Sequence, residues 1–135
     1  MMTGLVIDTH VLIWYVFDLN KLSDTALTRL DNAVNNNEFI YVSAISLIEI
    51  IYLVEKGRIS PEVLTRVLKA MESSQVNLFL VPLDKNISLT LQEVDRMVVP
   101  EMPDRIIAAT ALYLQLPLIT RDLKIQALSN IKVIW

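Results

Sequence analysis

Apolar residues fall along this chain in two patterns. Short, β-branched runs recur at Leu5–Ile7, Phe39–Val42, Leu78–Val81, Leu118–Ile119 and Val133–Trp135. Runs of that length, bounded by polar residues, suit strands buried on both faces. The intervals between them carry helical spacing. Val11–Phe17 forms an apolar segment directly after Asp8, Thr9 and His10, and Ser23 is placed to cap a helix through about Asn36. Ser60-Pro61-Glu62 reads as N-cap, first-turn proline and first-turn acid, followed by an i, i+3, i+4, i+7 stripe of Leu64, Val67, Leu68 and Met71. Asp84 is placed to cap a helix carrying Ile87, Leu91 and Val94. Pro103 opens a further helix that contains Ile106, Ile107, Ala109, Ala111 and Leu114, and Pro117 closes it. Strands alternating with helices predict an α/β fold with a five-stranded, mostly parallel sheet covered on both faces.

Composition narrows this further. A chain of 135 residues predicts a single domain over 1–135, with a core of useful size. Hydrophobic residues make up 53% and mean hydropathy is +0.46. No membrane span is predicted, because the longest uncharged run, Ile106 to Thr120, is interrupted by Gln115 and Pro117. It falls short of the roughly 18 to 20 apolar residues that a spanning helix needs. The surplus apolar surface points instead to an oligomer or partner interface. No basic segment precedes the first apolar run, which argues against a secretory signal. The absence of cysteine excludes disulfides, Fe–S clusters and thiolate zinc sites, and suits a reducing cytoplasm. A net charge of −3 does not resemble a basic nucleic-acid coat. With two glycines, Gly4 and Gly57, there is no phosphate-cradling glycine loop or dinucleotide fingerprint.

Four carboxylates stand where chemistry is expected. Asp8 ends the first strand, which is where open α/β sheets bind ligands, although it is also placed to cap the following helix. Glu49 lies in an apolar segment, either at N3 of a capping box begun by Ser46 or, if Ser43 is the cap, in the helix body. Asp104 follows Pro103 in a first turn, where the helix dipole favours any acid. Asp122 follows the fourth strand and reads as another first-turn acid. Each has an ordinary explanation alone. Together they lie at one end of a parallel sheet and converge on one crevice, where they would repel one another unless a cation intervened. Oxygen donors of this kind suit Mg²⁺ or Mn²⁺ rather than zinc. His10, the only histidine, reads as a helix-face residue rather than a ligand.

Four segments then carry a resemblance: Val6–Trp14, Ser43–Ile50, Pro103–Ala111 and Pro117–Asp122, in that order and with consistent spacing. The chain resembles PIN-domain proteins, specifically the VapC-like toxin ribonucleases of toxin–antitoxin modules, over nearly its whole length. That resemblance implies a three-layer α/β/α sandwich and a catalytic, metal-holding quartet of Asp8, Glu49, Asp104 and Asp122. It also implies supporting polar roles for Thr9, Ser43 and Thr120, a homodimer, and a small cognate antitoxin that covers the groove. Many relatives have Asp-Pro-Phe ahead of the third acid. Here Glu101-Met102-Pro103 stands in that place, leaving Glu101 either beside the site or solvated.

The expected reaction is hydrolysis of RNA by water, with Mg²⁺ or Mn²⁺ supplying Lewis-acid charge and the products bearing a 5′-phosphate and a 3′-hydroxyl. A metal-free route through the ribose 2′-hydroxyl would want a separate acid and base. Arg105 and Arg121 are the expected phosphate contacts, with Lys124, Lys56 and Arg58 as further candidates that also read as ordinary solvated surface. Trp14 and Trp135 offer base stacking or, more simply, packing. The competing classes are a phospho-acceptor signalling domain, which would want a further acidic pair near strand 1, and a phosphatase requiring Asp-x-Asp where this chain has Asp8-Thr9-His10. A third is a non-catalytic scaffold, against which the intact quartet argues.

Overall fold

Alternating side chains on five short strands divide the apolar residues between two cores. The computed structural model describes residues 3–135. In chain order it forms β1 (Gly4–Ile7), α1 (Thr9–Phe17), α2 (Asp24–Asn35), β2 (Phe39–Ser43), α3 (Ala44–Glu55), α4 (Pro61–Glu72) and β3 (Leu78–Val81). There follow α5 (Lys85–Thr90), α6 (Met102–Leu114), β4 (Leu118–Ile119), α7 (Leu123–Gln126) and β5 (Val133–Ile134), with 3₁₀ turns at Leu19–Lys21 and Leu91–Glu93. Leu5, Ile7, Ile40, Val42 and Ile119 pack with Leu12, Leu30 and Val67 on one face of the sheet. Val6, Tyr41, Val81 and Leu118 pack with Ile107, Ala108 and Ile125 on the other. This period-two division produces the three-layer α/β/α sandwich.

All strand pairings are parallel, and the order is β3-β2-β1-β4-β5. The sheet expected as mostly parallel is therefore wholly parallel. The chain winds from β1 out to β3, then returns to the other side of β1, so the topological switch lies between β1 and β4. A crevice opens there beyond the carboxyl ends of the strands. A phospho-acceptor receiver of flavodoxin-like order, 2-1-3-4-5, does not match this winding.

Local chemistry explains most element boundaries. Ser23, Ser43, Ser60, Asp84 and Asp122 each cap a helix through a side-chain oxygen that accepts a backbone N–H. Helix α6 begins at Met102, one residue before Pro103, which is harmless because a first-turn residue donates no intrahelical bond. Leu91 falls in a 3₁₀ turn and Val94 lies beyond it, so α5 is shorter than its apolar spacing suggests. Gly4 has φ of +129°, and a Cβ there would stand 2.2 Å from the Phe39 carbonyl oxygen, so the close approach of β1 to β2 requires glycine.

Candidate active site

The crevice between β1 and β4 is a cavity of about 500 Å³, and Asp8, Glu49, Asp104 and Asp122 all line it. The four acids come from four different segments, so only the tertiary fold brings them together. Thr9, His10, Trp14 and Arg121 complete the lining.

Asp8 is the most confined. Its backbone N–H reaches the Ile119 carbonyl at 3.3 Å, which locks the end of β1 to β4. Its Oδ1 accepts the Val11 N–H at 2.9 Å as the N-cap of α1, and its Oδ2 accepts a short hydrogen bond from the Thr120 hydroxyl. Thr120 is fully buried, and its Oγ1 also accepts the Asp122 N–H at 3.0 Å. One hydroxyl therefore ties the two acids that follow neighbouring strands. Burial pushes the Asp8 carboxyl above its ordinary value, against the lowering effect of Thr120 and Val11.

Glu49 lies in the body of α3, because Ser43 and not Ser46 is the N-cap: Ser43 Oγ accepts the Ile45 N–H at 3.2 Å. The capping-box alternative for Ser46 and Glu49 is thereby overturned. Glu49 instead accepts a 2.5 Å hydrogen bond from the Thr9 hydroxyl, and Thr9 is 2.9 Å from Ser46 Oγ. Ser46 is fully buried and is the serine that supports the acids, whereas Ser43 positions the helix that carries one of them. Sequence reasoning passed over Ser46 in this role. Its signal was the i, i+3 spacing to Glu49, which puts both on one face once the helix starts at Ala44.

Asp104 stands in the first turn of α6 and is half-buried. Its carboxyl is pushed up to about 6, first by burial, then by the charges of Asp122, Glu49, Asp8 and Glu101. Among the described residues no hydrogen bond offsets these effects. Glu101 itself is exposed and does not line the cavity, so it acts on Asp104 only through its charge. Asp122 caps α7 rather than standing within its first turn, with Oδ1 accepting the N–H groups of Lys124 at 2.7 Å and Ile125 at 3.2 Å.

The basic candidates divide. Arg121 is exposed at the rim of the cavity. Arg105, expected as a phosphate contact, does not line the cavity. Its Nη2 donates to the Leu91 carbonyl at 2.7 Å and to the Val94 carbonyl at 3.1 Å, pinning the segment between α5 and α6. Its Nε is buried without a partner among the described residues. Lys124 is absent from the cavity lining, while Lys56 and Arg58 line two adjoining grooves. Trp14 lines the cavity and stands 5.9 Å, ring centre to ring centre, from Trp135, which packs against the core.

The donor chemistry fits a hard divalent cation. Four carboxylates share one cavity, and the Asp104 carboxyl is raised first by burial and then by the negative charge of the other three and Glu101. Among the described residues, no three His, Cys, Asp or Glu side chains already form an arrangement that could hold a metal ion.

A profile of the PIN domain matches residues 5–131. Comparison with curated proteins by sequence gives no match. Among solved structures, the chain is similar to one from VapBC2 of Rickettsia felis bound to a DNA fragment from its promoter, with a TM-score of 0.72 at 16% identity, covering 96% of this chain and 97% of that one. It is similar to a chain of DNA-bound VapBC from Salmonella typhimurium, with a TM-score of 0.65 at 18% identity and coverage of 98% and 97%. It is also similar to a chain of FitAcB from Neisseria gonorrhoeae, with a TM-score of 0.64 at 20% identity and coverage of 96% for both. At these identities the likeness is one of fold.

Proposed function

Given that the chain belongs to the PIN domain family, we propose that it is a metal-dependent endoribonuclease and the toxin of a toxin–antitoxin pair. The observation that carries this reading is the convergence of Asp8, Glu49, Asp104 and Asp122 on one cavity at the topological switch point.

In this reading those four carboxylates would hold Mg²⁺ or Mn²⁺, which would supply charge neutralisation at the scissile phosphate and a more acidic water. Thr120 and the α1 cap fix Asp8, so its oxygens keep one orientation. Thr9 fixes Glu49 in the same way, with Ser46 behind it. Asp104 has no such brace among the described residues, and a carboxyl raised by burial and like charge is sensitive to a neighbouring positive charge. Arg121 at the rim offers a bidentate contact to a phosphate beside the one being cut. Water's oxygen bonds to the phosphorus as the bond from phosphorus to the 3′-oxygen breaks. The attacking water gives one proton to solvent and the departing oxygen takes one from solvent, leaving a 5′-phosphate and a 3′-hydroxyl.

Two features support a protein partner and a homodimer. Helix α3 exposes Ile48, Ile51 and Tyr52, and Met102 stands exposed near the same groove, leaving an apolar surface beside the acids. The similar solved structures from Rickettsia felis and Salmonella typhimurium are VapBC assemblies, and toxin–antitoxin pairing is extended to this chain from them and from the family. No helix among the described residues is long and apolar enough to cross a membrane.

The decisive test is cleavage of total RNA by the purified chain with added Mg²⁺ or Mn²⁺, with a chelator, and with Asp8→Asn or Asp104→Asn. Each variant is expected to lose cleavage by at least about a thousandfold while keeping its fold, since several kcal/mol of charge stabilisation depend on the site. Wild-type-like cleavage by either variant would sink the assignment.

A further inference from the structure

The acid-lined cavity does not end at the acids. It shares His10 and Trp14 with a second cavity of about 510 Å³ between α1 and the start of α4, whose lining includes Lys21 and Arg58. Both cations are exposed, and the ion pairs among the described residues, Arg29 with Glu38 and Arg66 with Glu62, use neither. Asp18 also lies in this second cavity, so it carries two cations against one carboxylate.

Trp14 stands at the boundary between the two. It is half-buried against the core, and its ring centre is 5.9 Å from that of Trp135 and 5.7 Å from that of His10, both tilted. An indole held in this way has little freedom left to lose on binding. A single-stranded nucleic acid presents phosphates and planar bases in alternation. The order acids, aromatic pair, cations along the two cavities matches the order scissile phosphate, adjacent base, next phosphates.

We propose that Trp14 and His10 form a nucleobase-stacking subsite beside the acidic crevice, and that Lys21 and Arg58 take the phosphates beyond it, so that a single-stranded RNA enters along the α1–α4 groove. This rests on the ribonuclease reading above and adds to it a path and a determinant of substrate choice. Stacking on a fixed indole is tolerant of sequence but requires a base, while the two cations require only backbone. The subsite therefore selects unpaired RNA over duplex, because a stacked and paired base is not free to settle on Trp14.

The test separates base from backbone. In the Asp8→Asn background, where asparagine can still cap α1 and turnover is removed, binding is measured for a short single-stranded oligoribonucleotide of mixed sequence and for its abasic counterpart. Trp14→Leu is expected to weaken binding of the base-bearing strand about tenfold and that of the abasic strand hardly at all. Trp14→Phe restores most of the loss, and His10→Ala gives a smaller loss with the same dependence on the base. Lys21→Ala and Arg58→Ala weaken both strands equally and flatten the salt dependence by roughly one unit each. Equal losses on both strands for Trp14→Leu and His10→Ala, or no loss, overturn the subsite. If Trp14→Leu fails to fold, the exposed His10→Ala variant carries the same comparison. A wild-type chain that cuts RNA while these variants show no dependence on the base refutes the subsite alone. One that neither binds nor cuts single-stranded RNA with Mg²⁺ or Mn²⁺ refutes the ribonuclease reading as well.

Discussion

The two halves of the acidic crevice are built differently. On the Asp8 and Glu49 side, each carboxylate accepts a hydrogen bond from a threonine hydroxyl, and Ser46 supports one of those threonines from a fully buried position. Asp122 accepts two N–H groups as the cap of α7, whereas Asp104 has no hydrogen bond among the described residues to offset burial and like charge, and its carboxyl is pushed up to about 6. The braced half is an ordinary product of folding, since its acids also cap a helix or satisfy buried hydroxyls. The unbraced half has no structural reason to be ionised. Its acid gains a favourable partner only when a cation arrives, and that asymmetry separates what holds the fold from what would perform the chemistry.

The largest expected effect comes from breaking the unbraced half. Between 3.8 and about 6 the folded, metal-free protein keeps a proton on Asp104 that the unfolded chain has released. Stability of the metal-free protein therefore falls as pH rises through that window and levels off above it. Burial raises the Asp8 pKa and adds a contribution of the same sign. Asp104→Asn should flatten this slope, raise the melting temperature of the metal-free protein at neutral pH, and abolish the further rise produced by Mg²⁺ or Mn²⁺. Wild-type metal affinity should itself climb with pH through the same window, as protons stop competing for Asp104. Calorimetric melts across pH, with and without metal, check all of this. An unchanged metal response in Asp104→Asn would show that the acid is not a ligand.

Breaking the braced half should have the opposite character. Thr9→Val removes the donor to Glu49 and the partner of Ser46, leaving two polar groups unmatched beside the core. A cost of about 1–3 kcal/mol in unfolding free energy is expected, with an activity loss of roughly ten- to a hundredfold from a misplaced Glu49. Urea denaturation and steady-state cleavage would resolve the two losses. A stability loss with full activity would show that the hydroxyl serves folding only.

The smallest effects sharpen the contrast among the cations. Arg105→Ala should lower stability by about 1–2 kcal/mol, because two backbone carbonyls lose their donor, and should leave the salt dependence of RNA binding as it was. Arg121→Ala should do the reverse, weakening RNA binding and reducing its salt slope by roughly one, with the melting temperature within a degree or so of the parent. An exchange of these two behaviours would reverse their assignments.

How much of this was legible beforehand depended on how local the cause was. The strands, the α/β alternation and four side-chain caps (Ser23, Ser60, Asp84 and Asp8) follow from short-range chemistry, and they were readable. Asp8, Asp104 and Asp122 were readable as candidates because each follows a strand or opens a helix, and Glu49 because it is a lone acid in an apolar segment. The Ser43–Ser46 ambiguity was not resolvable, since either serine could cap α3 and the choice turns on where β2 ends against β3. Arg105 misled for the same reason. It follows an acid of the crevice in the chain, but one step along a helix turns a side chain by about 100°. That rotation carries its guanidinium toward the Leu91 and Val94 carbonyls.

The amino-acid sequence alone determined the periodicities, the buried strands, the supply of oxygen donors and the lack of thiolates, because these depend on residue type and near neighbours. Only the tertiary structure decided that β1 and β4 lie side by side, that one threonine hydroxyl, 112 residues along the chain from Asp8, joins Asp8 to Asp122, and that Ser46 rather than Ser43 stands behind the acids. Those contacts depend on strand order and helix rotation, which emerge when two cores close on one sheet and not from any single segment.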